Sequence, residues 1–120
     1  MITVLVVEDT PSEMELITTY LKEGGYHVIK ADNGKEGLRK TLAEKPNIVI
    51  TDLVMPEMSG LELCRSLKKN PNTQKLPVIA CTSKNQDIDK IWGMKQGIDV
   101  YLTKPFTKDD IINAVQSVIK

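Results

Sequence analysis

The sequence predicts an α/β fold: a five-stranded parallel sheet with helices on both faces. Three observations carry this. Five short apolar runs alternate strictly with five amphipathic ones, the connections between them are short, and the third run, Ile48-Val49-Ile50, is apolar at successive positions. A strand with no polar face is buried on both sides, as in a parallel sheet covered by helices. Strict alternation with short connections is the pattern of βα units. Spacing alone does not fix the strand order. The flavodoxin-like order 2-1-3-4-5 is the common solution for five strands, and its crevice lies beside strands one and three.

Taken in order, Thr3–Val7 is the first strand and runs into Glu8-Asp9. Thr10-Pro11-Ser12-Glu13 is a helix start: Thr10 can cap, Pro11 suits the first helical position, and Glu13 can close a capping box. Met14, Ile17 and Leu21 share one helical face, and Gly24-Gly25 stops the helix. Tyr26–Ala31 is the second strand, with His27 read simply as a strand-start residue. Asn33-Gly34-Lys35-Glu36 opens a second helix carrying Leu38, Leu42 and Ala43, which Pro46 ends. The third strand stops at Asp52, and a loop with Met55-Pro56 follows. Ser59-Gly60-Leu61-Glu62 is again a capping box and opens a helix whose inner face is Leu63, Cys64 and Leu67. Asn70-Pro71-Asn72-Thr73 is a turn. Pro77–Cys81 is the fourth strand, ending in Thr82-Ser83. A helix over about 85–96 carries Ile88, Ile91 and Trp92, with Trp92 expected partly in the core although Trp is also enriched at interfaces, and Gly97 ends it. Val100–Thr103 is the fifth strand, followed by Lys104-Pro105-Phe106. Thr107 to Asp110 cap a last helix with a stripe of Ile111, Ile112, Val115, Val118 and Ile119.

The 120 residues, 41% hydrophobic and 27% charged, suit one globular domain, read here as spanning 1–120 with no output domain. The 16 basic and 16 acidic residues cancel, so net charge gives no argument for nucleic acid or a membrane surface. No apolar run approaches the roughly 18 residues of a spanning helix. No secretory leader precedes the first strand, so a cytoplasmic location is expected. Cys64 and Cys81 lie in apolar patterns and read as buried, reduced thiols. The lysines at Lys68-Lys69 and Lys108 read as solvated helix ends.

The chemistry collects at the carboxyl ends of the strands: Glu8 and Asp9, Asp52, Thr82 and Ser83, and Lys104. If strands one and three are adjacent, three carboxylates crowd one crevice, and a divalent cation would relieve their repulsion. Hard oxygen ligands with room for water and phosphate suit magnesium better than calcium, and no histidine or cysteine is placed for zinc. A carboxylate nucleophile can form an aspartyl phosphate. A lysine can balance charge on the phosphoryl oxygens, and the Thr82 hydroxyl can donate to the same group.

Val7-Glu8-Asp9, Thr51-Asp52-Leu53-Val54-Met55-Pro56 with Ser59-Gly60, Cys81-Thr82-Ser83 and Tyr101-Leu102-Thr103-Lys104-Pro105-Phe106 stand in an order and spacing that resemble the receiver domains of two-component response regulators. The resemblance covers the whole chain and brings with it the 2-1-3-4-5 order. It implies that Asp52 is the phospho-acceptor. It implies a Mg²⁺ site formed by Glu8, Asp9, Asp52 and the backbone carbonyl of Val54, with Asp9 a direct ligand and the contact of Glu8 left open between direct and through water. Thr82 and Tyr101 would be the switch pair, and Lys104, after which the peptide bond is often cis in the family, the charge partner. Val54 and Lys84 would border the path of a hydrolysing water and tune the lifetime. The implied partners are a sensor histidine kinase or phosphotransfer protein and a downstream protein bound by the fourth helix, fifth strand and fifth helix. Within the family, the stretch from Ile91 to Gly97 leans toward pilus-motility members.

Plainer roles exist for each residue. Asp52 could cap a helix, but Ser59 already supplies that cap. Lys104 could be a surface lysine and Tyr101 an ordinary strand aromatic. Two rival functions on the same fold are disfavoured. A phosphohydrolase using an aspartyl phosphate commonly carries a second acid two residues after the nucleophile, where this chain has Val54. A flavin-binding module needs an anion cradle after the first strand, where Glu8-Asp9 would repel phosphate. The expected role is therefore a switch, not an enzyme acting on other substrates.

Overall fold

A computed structural model describes residues 1–119. In chain order its elements are β1 (Thr3–Val7), α1 (Pro11–Glu23), β2 (His27–Ala31), α2 (Gly34–Glu44), β3 (Ile48–Thr51), α3 (Gly60–Lys69), β4 (Val78–Thr82), α4 (Asp87–Lys95), β5 (Val100–Thr103) and α5 (Lys108–Val118). The strands are all parallel, in the order β2-β1-β3-β4-β5. The expected architecture and order are both found.

Alternating side chains of the central strands serve two cores. Leu5, Val7, Val49, Val78 and Ala80 face one layer with Leu63, Cys64 and Leu67 of α3, against which Leu38 of α2 packs. Val4, Val6, Ile48, Ile50, Ile79 and Cys81 face the other, with Ile17 and Leu21 of α1 and Ile111, Ala114 and Val115 of α5. Because successive side chains point to opposite faces, a strand covered on both sides must be apolar throughout. Among the described residues no helix is long and apolar enough to cross a membrane.

The helices start where the sequence puts them, but two of the expected capping boxes are incomplete. At Ser59 no return bond from the Glu62 carboxylate is found among the described residues, and at Thr10 the box does not form. Asn33 Oδ1 accepts from the Glu36 N–H at 2.8 Å, Ser59 Oγ from the Glu62 N–H at 3.2 Å, and Thr107 forms a reciprocal box with Asp110. At α1, Thr10 is the capping residue by position, yet its side chain makes no cap hydrogen bond. Glu13 does not close a box there, because its carboxylate is engaged elsewhere. At the other end of α1, Gly25 takes φ +89°, a left-handed conformation that costs a side-chain-bearing residue about 1 kcal/mol or more.

The apolar positions of α4 are not packed as the sequence leads one to expect. Ile88, Ile91, Trp92 and Met94 are all at least half exposed, Trp92 at 51%, and Gly93 is the buried residue of the helix. Gly93 lets α4 approach Ile98 and Tyr101 closely. The apolar positions of this helix therefore form an outer surface, and Trp92 is not a core residue.

Candidate functional site: an acidic crevice closed by a lysine

The site is an extension of the sheet by one residue per strand. The Glu8 N–H donates to the Ala31 carbonyl at 3.0 Å, the Asp52 N–H to Val7 at 3.1 Å, and the Lys104 N–H to Thr82 at 2.8 Å. Each chemical residue thus has its backbone fixed by the neighbouring strand before its side chain does anything. In that register Val7 lies beside Thr51 and Thr82 beside Thr103, so the side chains just past these strand ends converge on one edge.

Lys104 Nζ is the centre of the crevice. It donates to Glu13 Oε2 at 2.5 Å, Glu8 Oε1 at 2.8 Å and Asp52 Oδ2 at 3.3 Å. Glu8 is 2% exposed and Asp52 9%. The other oxygen of each acid is held by main chain. Glu8 Oε2 accepts from the Thr10 N–H at 3.1 Å, and Asp52 Oδ1 from the N–H groups of Leu53 at 2.7 Å and Val54 at 3.3 Å. Among the described residues no buried side-chain nitrogen or oxygen lacks a partner. The Lys104-Pro105 bond is cis, as the resemblance implies.

The charges shift one another. Burial pushes the Glu8 carboxyl above its usual range, against the Lys104 bond and the Thr10 N–H, which pull it down. For Lys104, burial works to lower the pKa, but the hydrogen bonds to Glu13 and Glu8 and the charge of Asp52 overcome it and raise the net value. The ammonium therefore stays charged and keeps the acidic residues together.

Thr82 is fully buried at the end of β4, and its Oγ1 accepts from the Lys84 N–H at 3.3 Å. Tyr101 is half-buried on β5, and burial raises its pKa. Lys84 is exposed, and Val54, at 53%, opens to solvent beside Asp52. The site residues do not all converge. Glu8, Asp52 and Lys104 meet directly, whereas Asp9 is exposed and stands outside the carboxylate cluster. The third member of that cluster is Glu13, which sequence reading placed at a helix cap. Its signal was its position in the first turn of α1, above the same sheet edge as Glu8.

Glu8, Glu13 and Asp52 each offer a carboxylate oxygen within 4.8 Å of the others. All-oxygen, anionic donors are of the kind that suits a hard divalent cation, and in this structure the three acids converge on the Lys104 ammonium. Fold and crevice together define a class: α/β proteins with a cluster of charged side chains at the carboxyl edge of a parallel sheet, where such sheets bind their ligands.

Within that class the chain belongs to the response regulator receiver domain family, which it matches over residues 4–116. It is 40% identical over 116 residues to Protein PilH of Pseudomonas aeruginosa, covering 97% of this chain and 96% of that one. It is 36% identical over 114 residues to Protein PilG of the same organism, covering 95% and 84%. Of the alkaline phosphatase synthesis transcriptional regulatory protein PhoP of Bacillus subtilis, 35% identical, the chain spans 48%. The chemotaxis protein CheY4 of Vibrio cholerae superposes with a TM-score of 0.93 at 28% identity, covering 99% of each chain. The chain is thus a phosphorylatable receiver, a signalling switch and not a classical enzyme. Receiver domains bind Mg²⁺ at an acidic pocket and take their phosphoryl group from histidine kinases.

Proposed function

We propose that Asp52 accepts the phosphoryl group and that Glu8, Asp9, Asp52 and the Val54 carbonyl hold Mg²⁺ beside it. The single observation that carries the reading is the Asp52 carboxylate, buried at the end of β3, with one oxygen on main-chain N–H groups and the other 3.3 Å from Lys104 Nζ. One oxygen is thereby oriented and the other has a cation in reach for charge that builds during transfer. A carboxylate oxygen of Asp52 attacks phosphorus, the bond from phosphorus to the donor breaks, and the leaving group keeps that electron pair. Lys104 hydrogen-bonds the phosphoryl oxygens, and the Thr82 hydroxyl turns from Lys84 to donate to the same group. Magnesium held by these residues would supply charge that offsets the acids and the incoming phosphoryl group.

On this reading the protein catalyses only its own phosphorylation and dephosphorylation. The donor is a histidine kinase or phosphotransfer protein. The output is protein binding on α4, β5 and α5, a face supported by the exposed Ile88, Ile91, Trp92 and Met94. The match over nearly all of PilH supports a receiver that works as one domain, in pilus-motility or chemotaxis-type signalling. The test is labelling with acetyl phosphate. Intact mass should rise by one phosphoryl group with Mg²⁺ present, and neither Asp52→Asn nor metal-free protein should gain it. Undiminished labelling of Asp52→Asn would overturn the assignment.

A further inference from the structure

An ammonium has three N–H donors. In Lys104 all three are taken, by Glu13, Glu8 and Asp52. A phosphoryl oxygen that is to be bound by Lys104 must therefore displace one of them. Glu8 and Asp52 are both anchored by main-chain N–H groups, and their side chains are almost wholly buried. Glu13 differs on each count. Its side chain is about one-third exposed, and among the described residues its carboxylate makes no hydrogen bond except to Lys104. It is also the nearest of the three. The partner that holds the ammonium most closely is the one with the least other support, and water stands ready to replace the lysine once it leaves.

We propose that Glu13 is a positioning residue, a resting-state latch that occupies one donor of Lys104 and must release it before a phosphoryl group on Asp52 can be bound. It thereby sets how readily the switch is thrown. The latch competes with the phosphoryl oxygens for one cation, so weakening it speeds phosphorylation. This rests on Asp52 being the acceptor, and the experiment separates the two ideas.

Wild type, Glu13→Gln and Glu13→Asp are phosphorylated with acetyl phosphate and Mg²⁺, and initial rates are followed by intact mass. In parallel, the side-chain resonances of Lys104 are recorded in the metal-free, unphosphorylated proteins. Glutamine keeps the shape and loses the charge; aspartate keeps the charge but is one methylene short of the ammonium. Both variants should label faster than wild type, by about two- to fivefold, the scale of a partly exposed ion pair. In both, the Lys104 resonances should shift. A wild type that takes no phosphoryl group overturns the acceptor assignment. If wild type is labelled but both variants match it or are slower, the latch alone is overturned. Acceleration in Glu13→Gln with wild-type behaviour in Glu13→Asp also overturns it, since charge in the crevice, not the bond to Lys104, would then control the rate.

Discussion

The hydroxyl of Tyr101 donates to the main-chain carbonyl of Lys84 at 2.7 Å, and the N–H of that same lysine donates to Thr82 Oγ1 at 3.3 Å. One loop residue thus ties the buried threonine at the crevice to the aromatic beside α4. A Thr82 hydroxyl that turns toward a phosphoryl group gives up its bond from Lys84, and the loop no longer has the same hold on Tyr101. A loop held by these two bonds would be an element whose balance phosphate biases. In wild type, amide shift changes on phosphorylation should reach Tyr101 and Trp92. In Thr82→Ala and Lys104→Ala, protein that is still phosphorylated should show changes confined to the strand ends. Wild-type changes that stop at the strand ends would show that the tie does not transmit.

The lifetime of the phosphoryl group should be long. Val54 has no hydrogen-bonding side chain, and Lys84 has donors but no acceptor. Neither can orient a water for attack on phosphorus, and Val54 lies open beside Asp52. Val54→Asn and Lys84→Glu, alone or together, are expected to speed phosphate loss after the donor is removed. Unchanged decay in all three variants would remove these positions from any account of the lifetime.

Gly60 should be indispensable to the acceptor's placement. A Cβ there would come within 2.0 Å of the Asp52 carbonyl oxygen and 2.9 Å of its carbon, so backbone has to move. Gly60→Ala is expected to cost about 1–3 kcal/mol, the scale of overpacking, and to lower labelling by acetyl phosphate. Gly25→Ala is the control. It places a side chain at φ +89° with open space around it, so it should cost about 1 kcal/mol and leave labelling intact.

Alkaline pH should unfold the protein partly through its thiols. Burial pushes Cys64 up to about 11 and Cys81 up to about 12, from an ordinary value of 9.0. Above pH 9 the unfolded chain loses these protons while the folded one keeps them, so stability falls as pH rises. Between pH 9 and 10 the two thiols together contribute a slope that steepens from about 1.3 to about 2.3 kcal/mol per pH unit. Lys104, also raised, adds to the loss in the same direction at higher pH. A Cys64→Ala, Cys81→Ala double variant should be less stable at pH 7 but decline less steeply over that unit, as urea titrations across the range would show. An unchanged slope would mean the thiols do not carry it.

The strand ends were legible in sequence for a geometric reason. Where an apolar run stops, the next residue lies at the sheet's edge, so Glu8, Asp52, Thr82 and Lys104 could be read as neighbours before any coordinates. Which residues a helix contributes is harder, because a rotation of about 100° per residue decides whether a side chain meets the crevice. Glu13 fitted the spacing of a capping box, and its spacing carried no sign that Lys104 outcompetes the Thr10 N–H. Asp9 follows Glu8, and the alternation that buries one leaves the other in solvent. For α4, periodicity marked Ile88, Ile91 and Trp92 as apolar but not whether anything covers them. The strand order came with the family resemblance, since connection lengths permit several.

The bond between Lys104 and Glu8 joins positions 96 residues apart. Fastening so wide a span is an entropic matter, with each doubling of a flexible loop adding about 0.6 kcal/mol. No fragment holding only β1 to β4 contains both ends, so none of them has a finished pocket. The capacity to take phosphate is consequently a readout of the whole cooperative unit. Loss of labelling in denaturant should track loss of helical ellipticity at the same midpoint, and a variant weakened far from the crevice should fall silent as its folded population empties.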